Sequence, residues 1–74
     1  MNKEAKFVVC IENSDYPASL EKHKIYQVVS DEAIEDDGEL RVIDESGEDY
    51  IYPSNYFVAV SLPSVIQESV LRAA

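Results

Sequence analysis

Residues 52–57 of this chain, YPSNYF, join two segments rich in aromatic and β-branched residues, DYIYP (49–53) and FVAVSL (57–62). Proline fixes φ and lacks a backbone donor, so Pro53 suits the end of a strand. Serine and asparagine favour tight turns because their side chains bond the local backbone. The stretch therefore predicts a fourth strand, a tight turn at 54–56 and a fifth strand.

Three further strands are predicted ahead of this junction because their segments are rich in β-branched and aromatic residues. They are FVVCIE (7–12), KIYQVVS (24–30) and ELRVIDE (39–45). The long loop 13–23 and the acidic turn 31–39 separate them. Closely spaced short strands favour a small barrel, since closure removes exposed sheet edges.

The last segment, 63–74, changes to a helical period. Its apolar stripe is Leu62, Ile66, Val70 and Ala73. Ser64 followed by Gln67 predicts a capping box at the start of this helix. At the other end of the chain, residues 1–6 are charged, and we expect a disordered tail there.

The junction resembles the corresponding part of Src-homology-3 (SH3) domains, whose fourth strand runs into a one-turn 3₁₀ helix and then a fifth strand. The motif there resembles Tyr-Ile-Pro-Ser-Asn-Tyr-Val, and this chain has YIYPSNYF at 50–57, with one extra residue before the proline. The order of elements agrees as well. The resemblance implies an all-β, five-stranded SH3-like barrel over residues 7–62, followed by a short C-terminal α-helix at 63–74.

In SH3 domains the equivalents of Pro53 and Tyr56 help to line a groove for proline-rich peptides. The groove also uses a tryptophan at the start of the third strand, where this chain has ELR at 39–41, and the chain contains no tryptophan. Proline-rich ligands need flat aromatic walls. The resemblance therefore implies the fold more than it implies that ligand.

Nearly everything from Lys6 to Leu62 is also similar to a group of short bacterial proteins of unknown function, most clearly RVIDESGEDYIYPSNYF at 41–57. This resemblance implies a bacterial cytosolic protein. The single cysteine, Cys10, fits a reducing compartment because it cannot form an internal disulfide framework. The polar start of the chain has no apolar run that could act as a signal peptide. We therefore expect a cytoplasmic location.

The composition narrows the classes of partner. The chain has 74 residues, room for one domain, and a formal net charge of −9. Its six basic residues are scattered, so we expect neither nucleic acid nor an anionic membrane surface as a partner. The acidic stretch 31–49 does not match a calcium loop: with Gly38 at its sixth position, Ala33 would stand first and cannot bind the ion. A solvated loop and a docking surface for a basic partner both remain as interpretations.

No constellation of catalytic residues is visible. Cys10 with His23 could form a thiolate pair, but a cysteine between Val9 and Ile11 is typical of an inert core residue. One cysteine and one histidine do not make a structural zinc site. The sequence therefore predicts no enzyme, no metal and no cofactor.

Two sets of residues are candidates for contact with another protein. Tyr16, Tyr52 and Tyr56 with Pro53 form an aromatic patch if they converge; alternatively, the rings fill a small core. Ile66, Val70 and Ala73 form the helix stripe, which either covers the open end of the barrel or packs on a second copy.

We therefore expect a non-enzymatic protein-binding or self-associating module, with a homodimer as the form of self-association and the partner unspecified. The alternative is an acidic effector that mimics nucleic acid and occupies the surface of a basic protein. The charge of −9 supports this alternative.

Overall fold

The fold is known from a computed structural model, which describes the backbone of residues 6–73 and the side chains of residues 6–71. Its elements, in chain order, are β1 (Lys6–Cys10), β2 (Ile25–Val29), α1 (Glu32–Asp36), β3 (Glu39–Ile43), β4 (Asp49–Pro53), a 3₁₀ helix (Ser54–Tyr56), β5 (Phe57–Val60) and α2 (Ser64–Ala73). The five predicted strands and the C-terminal helix are confirmed. The predicted tail at residues 1–5 lies outside the described residues, while Lys6 already belongs to β1.

The strands form one antiparallel sheet in the order β4-β3-β2-β1-β5. The sheet is open, since β4 and β5 are its two edges and no pairing within residues 6–73 joins them, so the closed barrel predicted from the sequence is not confirmed. Successive side chains of a strand point to opposite faces, so every strand contributes to an inner and an outer face. The inner face carries the main core.

The core combines inner-face side chains with residues from the loops and the turn. Its buried members are Val8, Cys10, Leu20, Tyr26, Val28, Val42, Tyr52, Tyr56 and Phe57. Leu20 comes from the long loop between β1 and β2, so this loop folds over the sheet. Phe57 re-enters the core directly after the turn.

The junction between β4 and β5 is a one-turn 3₁₀ helix, which confirms the turn predicted at 54–56. Pro53 has φ −59°, and Phe57 N–H donates to Ser54 O. Ser54 N–H donates to Gly38 O at 3.0 Å. The start of the turn is therefore anchored to the segment that precedes β3.

The acidic segment expected to be only a turn contains α1, so that prediction was incomplete. Asp31 caps the helix, accepting from Ile34 N–H, while the Glu35 carboxylate accepts from Asp31 N–H at 3.3 Å. This reciprocal arrangement satisfies two donors that a helix start leaves unpaired. Gly38, with φ +80°, ends the segment in the left-handed region that glycine adopts readily.

Helix α2 begins at Ser64, but without the predicted capping box. The amides of Ile66 and Gln67 both donate to Pro63 O, and Gln67 Nε2 donates to Leu62 O at 2.8 Å. The Gln67 amide group therefore bonds the chain ahead of the helix. Gln67 also lines a groove with Phe7, Val60 and Leu62, so α2 starts beside the β1–β5 edge of the sheet.

Candidate functional site

The three tyrosines that the sequence singled out lie together at the end of the sheet where the long loop meets β4 and the turn. The rings of Tyr16 and Tyr52 meet edge to face, with centroids 5.0 Å apart and planes at 82°. The Tyr16 and Tyr56 centroids lie 6.1 Å apart. Offset and edge-to-face geometries are the favourable ones for aromatic pairs. The structure thus brings together the three tyrosines that the sequence singled out.

These rings differ sharply in exposure. Tyr52 is only 3% exposed and Tyr56 is also buried, whereas Tyr16 is 40% exposed. Pro53 is half-buried. Two of the three tyrosines therefore fill the core, and the solvent meets mainly Tyr16 beside Pro53.

The hydroxyls of the buried tyrosines are occupied within the chain. Tyr52 donates to the Asp44 carboxylate at 2.5 Å, and Tyr56 donates to the Asp15 carboxylate at 2.5 Å. Burial, followed by the bond to Asp44, raises the pKa of Tyr52 to about 12. The bond to Asp15 is the main cause that raises the pKa of Tyr56 to about 12. Neither hydroxyl is free to recognise a partner without breaking a bond to a carboxylate.

Asp44 is the buried charged residue among the described residues, and it accepts several hydrogen bonds in the β3–β4 turn. Its carboxylate accepts from the Ser46 amide at 2.9 Å and the Ser46 hydroxyl at 2.6 Å, besides Tyr52. Burial raises the pKa of Asp44, but the hydrogen bonds from Ser46 and Tyr52 outweigh it and leave the pKa below the usual 3.8. A carboxylate with three donors stays ionised.

A second carboxylate in the same turn links it to β2. Glu45 forms an ion pair with Lys24 at 2.8 Å and accepts a hydrogen bond from the Tyr26 hydroxyl. These two bonds, that from Lys24 first, lower the pKa of Glu45 below 4.5. Because the bonds reach across the sheet, they fix the turn against the start of β2.

The acidic stretch is partly neutralised by internal ion pairs. Arg41 contacts Asp31 at 3.1 Å and Asp49 at 3.0 Å, and Lys6 approaches Glu35 at 3.6 Å. Five carboxylates of residues 31–49 form no ion pair or hydrogen bond with the described residues and lie on α1, the following turn, β3 and the β3–β4 turn. They are Glu32, Asp36, Asp37, Glu39 and Glu48.

The remaining chemical candidates are placed as follows. Cys10 is fully buried, and its thiol donates to Glu12 O at 3.2 Å. His23 is exposed and meets Cys10 through the backbone, its N–H donating to Cys10 O. Within residues 6–73, no three His, Cys, Asp or Glu side chains are grouped so that they could hold a metal ion.

The helix stripe proposed for self-association is divided between two environments. Val70 is half-buried and lines a groove of about 500 Å³ together with Leu71, Ile25 and Ile43. Ile66 is 43% exposed, and its neighbour Val65 is 71% exposed. The side chain of Ala73 lies outside the described residues. Val70 therefore lies beside its own sheet, and Ile66, one turn earlier on the same stripe, is more exposed.

The sequence analysis missed how unevenly the charge is distributed. Residues 50–74 contain one acidic residue, Glu68, and one basic residue, Arg72, so the whole net charge of −9 lies on residues 1–49. Helix α2 and strand β5 belong to the neutral part. A count of charges by segment would have found this signal.

Comparison of the chain with models of protein families, with curated proteins and with solved structures finds no match. Over the part of the chain that the structure describes, no helix has both the length and the apolar character needed to cross a bilayer. The function proposed next therefore rests on the geometry and charge of this chain.

Proposed function

We propose that this chain is a non-enzymatic protein-binding module that associates with a second copy of itself through the outward side of α2. The observation that carries the proposal is the pair Val65 and Ile66, 71% and 43% exposed, on a helix in the part of the chain that has no net charge. Neighbouring apolar side chains that are exposed to solvent are typical of interfaces.

The proposal includes a relationship of the fold to the SH3-like small barrels. The strand order β4-β3-β2-β1-β5 and the 3₁₀ turn between β4 and β5 support it. So does the position of YPSNYF at that turn. On this proposal the module is built on a scaffold suited to protein contact, although its aromatic groove is incomplete.

The helix is a better contact than the tyrosine end for a second copy. Tyr52 and Tyr56 are buried and their hydroxyls are bound to carboxylates. Tyr16 and Pro53 offer only a small surface. We assign this end a supporting role, in which Tyr16 and Pro53 contact a partner at their exposed edges and Tyr52 and Tyr56 hold them in place.

The distribution of charge also favours α2 as the contact with a second copy. Two copies that carry −9 each repel, and the repulsion is weakest where the neutral segments meet. Fully burying a valine or isoleucine contributes about 1.5–3 kcal/mol, and association costs at least about 4 kcal/mol. With two partly exposed residues from each copy, the gain differs little from this cost, so we expect a weak dimer, with a Kd on the order of 1 mM or above.

The test is light scattering and sedimentation of the full chain over a concentration series up to about 1 mM, where such a dimer begins to form. We expect the mass to rise from that of the monomer, 8.3 kDa, towards twice that value. Raising the salt concentration should strengthen the dimer, because it screens the repulsion between two acidic copies.

The variant Ile66→Ser should abolish the rise in mass. Ile11→Ser is a matched control, since Ile11 is 42% exposed and Ile66 43%, and Ile11 lies just after β1 rather than on α2. A mass of 8.3 kDa at every concentration, or an equal loss in both variants, would contradict self-association through α2.

A second candidate function is an acidic effector that occupies a basic protein surface. It is supported by the carboxylates of α1 and its flanks that form no ion pair within the described residues, including Asp36, Asp37 and Glu39. An effector of this kind should bind a basic protein with an affinity that falls steeply as salt rises. Binding that does not change with salt would count against it.

A further inference from the structure

Strand β4 has a free edge whose hydrogen-bonding groups can be identified. Asp44 N–H donates to Glu48 O at the turn between β3 and β4. Because hydrogen-bonded pairs recur at every second residue of an antiparallel ladder, Tyr50 and Tyr52 also bond β3. The N–H and C=O groups of Asp49 and Ile51 therefore point away from the sheet.

This edge is open within the described residues. Strand β4 stands at the end of the strand order, and no backbone hydrogen bond from residues 6–73 reaches Ile51 on that side. The side chains along it are also uncovered: Tyr50 is 54% exposed and Ile51 39% exposed. An edge with unpaired backbone groups and exposed apolar side chains is a template for an added strand.

The opposite edge, on β5, is less suitable. Phe57 N–H is already bonded to Ser54 O. Ile11 N–H donates to Tyr56 O, so the ladder between β1 and β5 uses Val58 and Val60 and leaves Ala59 to face outwards. One outward residue with a small side chain offers less than Asp49 and Ile51 together.

The length of the edge is limited on both sides. Pro53 follows as the next outward-facing residue, and it has no N–H to donate. The turn at Gly47, with φ +83°, ends the strand on the other side. The edge can therefore accept a short extended segment of about four residues, in keeping with typical strand lengths.

The charges at the two ends of the β4 edge indicate which kind of partner segment it can bind. Glu48 lies next to one end of the edge, and Glu39 pairs with Pro53 at the other end. Neither glutamate forms an ion pair with a described residue. A second copy would bring the same negative charges to this place, whereas Lys or Arg side chains at the two ends of an apolar segment would complement them.

We propose that the free edge of β4 binds an extended segment of a partner protein that has an apolar centre and basic residues at both ends. The segment adds a sixth strand, bonds Asp49 and Ile51 through its backbone, and places alternate side chains against Tyr50 and Ile51. This inference is separate from self-association through α2, because the two surfaces share no residue.

The test uses full-length protein and a synthetic peptide, Lys-Lys-Val-Thr-Val-Lys-Lys, with blocked termini. Binding of the peptide should slow the exchange of the Ile51 amide with solvent by about tenfold or more, as a new backbone hydrogen bond requires. It should leave the amides of the β1–β2 ladder unchanged. The peptide Glu-Glu-Val-Thr-Val-Glu-Glu should not bind.

Two variants locate the site. Ile51→Pro removes the outward donor without removing a bond to β3, and Ile51→Lys keeps the donor while adding a like charge to the edge. Ile51→Pro should weaken binding of the basic peptide by about tenfold, the equivalent of one hydrogen bond. Ile51→Lys should also weaken it, through repulsion between the added lysine and the basic residues of the peptide. Ala59→Pro, the matched change on β5, should have no effect.

Several results would overturn the proposal. These are no binding of the basic peptide, equal binding of the acidic one, or loss of binding in Ala59→Pro with Ile51→Lys unaffected. Another is protection of Ile51 that increases with protein concentration in the absence of peptide, since that would identify a second copy at this edge. A monomeric mass at every concentration would contradict self-association and leave this inference intact.

Discussion

Each buried tyrosine of the described chain donates a hydrogen bond from its hydroxyl to a carboxylate. The three pairs are Tyr26 with Glu45, Tyr52 with Asp44, and Tyr56 with Asp15. A domain of this size fills its core with large rings, and a buried hydroxyl needs a partner. The carboxylates supply partners at the boundary of the core, where their second oxygens can still meet other donors.

Removal of one such donor gives the first prediction at this scale. Tyr52→Phe keeps the ring but leaves buried Asp44 with one donor fewer, so we expect the free energy of unfolding to fall by about 1–2 kcal/mol. Urea denaturation measures it. Tyr50→Phe is the control, because Tyr50 is exposed and its hydroxyl has no partner among the described residues; its effect should stay within about 0.5 kcal/mol. Equal effects of the two variants would show that the Asp44 bond contributes nothing.

The sequence singled out Tyr16, Tyr52 and Tyr56 as a patch on the condition that they converge, and it did not identify their partners. The YPSNYF motif determines the turn, and the turn determines the backbone position from which the Tyr56 side chain extends. Its partner Asp15 lies 41 residues earlier in the chain. Fifteen acidic residues compete for such a role, and only the path of the long loop selects one of them.

Among the secondary-structure elements, α1 is a helix that the acidic composition of its segment did not indicate. The segment 31–39 is so acidic that it predicts a solvated turn, yet Asp31 and Glu35 cap a short helix there. Acidic residues in the first turn interact favourably with the positive end of the helix dipole. The capping signal, Asp31 before the helix and Gly38 after it, was present in the sequence.

The cap can be tested by substitution. Asp31→Ala removes the side chain that accepts from Ile34 N–H and also pairs with Arg41, so we expect a loss of about 1–2 kcal/mol in the free energy of unfolding. Asp36→Ala, at the other end of the same helix, removes an exposed carboxylate without a partner in the described residues and should be nearly neutral. Thermal and urea unfolding compare the two, and a cost for Asp36→Ala equal to that for Asp31→Ala would exclude the cap as the cause.

Helix α2 shows the limit of a periodicity argument. The apolar stripe at Ile66 and Val70 was visible in the sequence, but periodicity does not say which side of it meets the sheet. Val70 and Leu71 line a groove with Ile25 and Ile43, while Val65 is 71% exposed. The position of the helix beside the sheet depends on contacts between distant segments, which the period does not contain.

For the whole molecule, pH sets two effects against each other. Acidification protonates unpaired carboxylates and relieves the repulsion of a chain with net charge −9, which stabilises the fold. It also protonates Asp44 and Glu45, whose folded-state pKa values lie below the usual 3.8 and 4.5. A carboxyl with a lowered pKa stabilises the fold above its unfolded pKa and loses that contribution as pH falls through the folded pKa.

We expect the second effect to dominate at low pH, because the bonds of Asp44 and Glu45 are direct contacts while the repulsion is spread over many exposed groups and is screened. The free energy of unfolding should therefore fall as pH drops below about 4.5, measured by urea denaturation in a pH series. Asp44→Asn should flatten this dependence. A stability that rises steadily down to pH ~3 would show that relief of repulsion wins.

The sequence by itself determined the five strands, the turn at 54–56, the C-terminal helix and the buried state of Cys10. These follow from local properties: the period of the apolar residues, the fixed φ of Pro53 and the turn preference of Ser54 and Asn55. Only the tertiary structure decided that the sheet stays open and that β4 has a free edge at Ile51. It also decided that the hydroxyls of Tyr52 and Tyr56 form hydrogen bonds with carboxylates. Those features depend on contacts between distant segments, and the free energy of such contacts is set by how the segments pack rather than by the residues of any one of them.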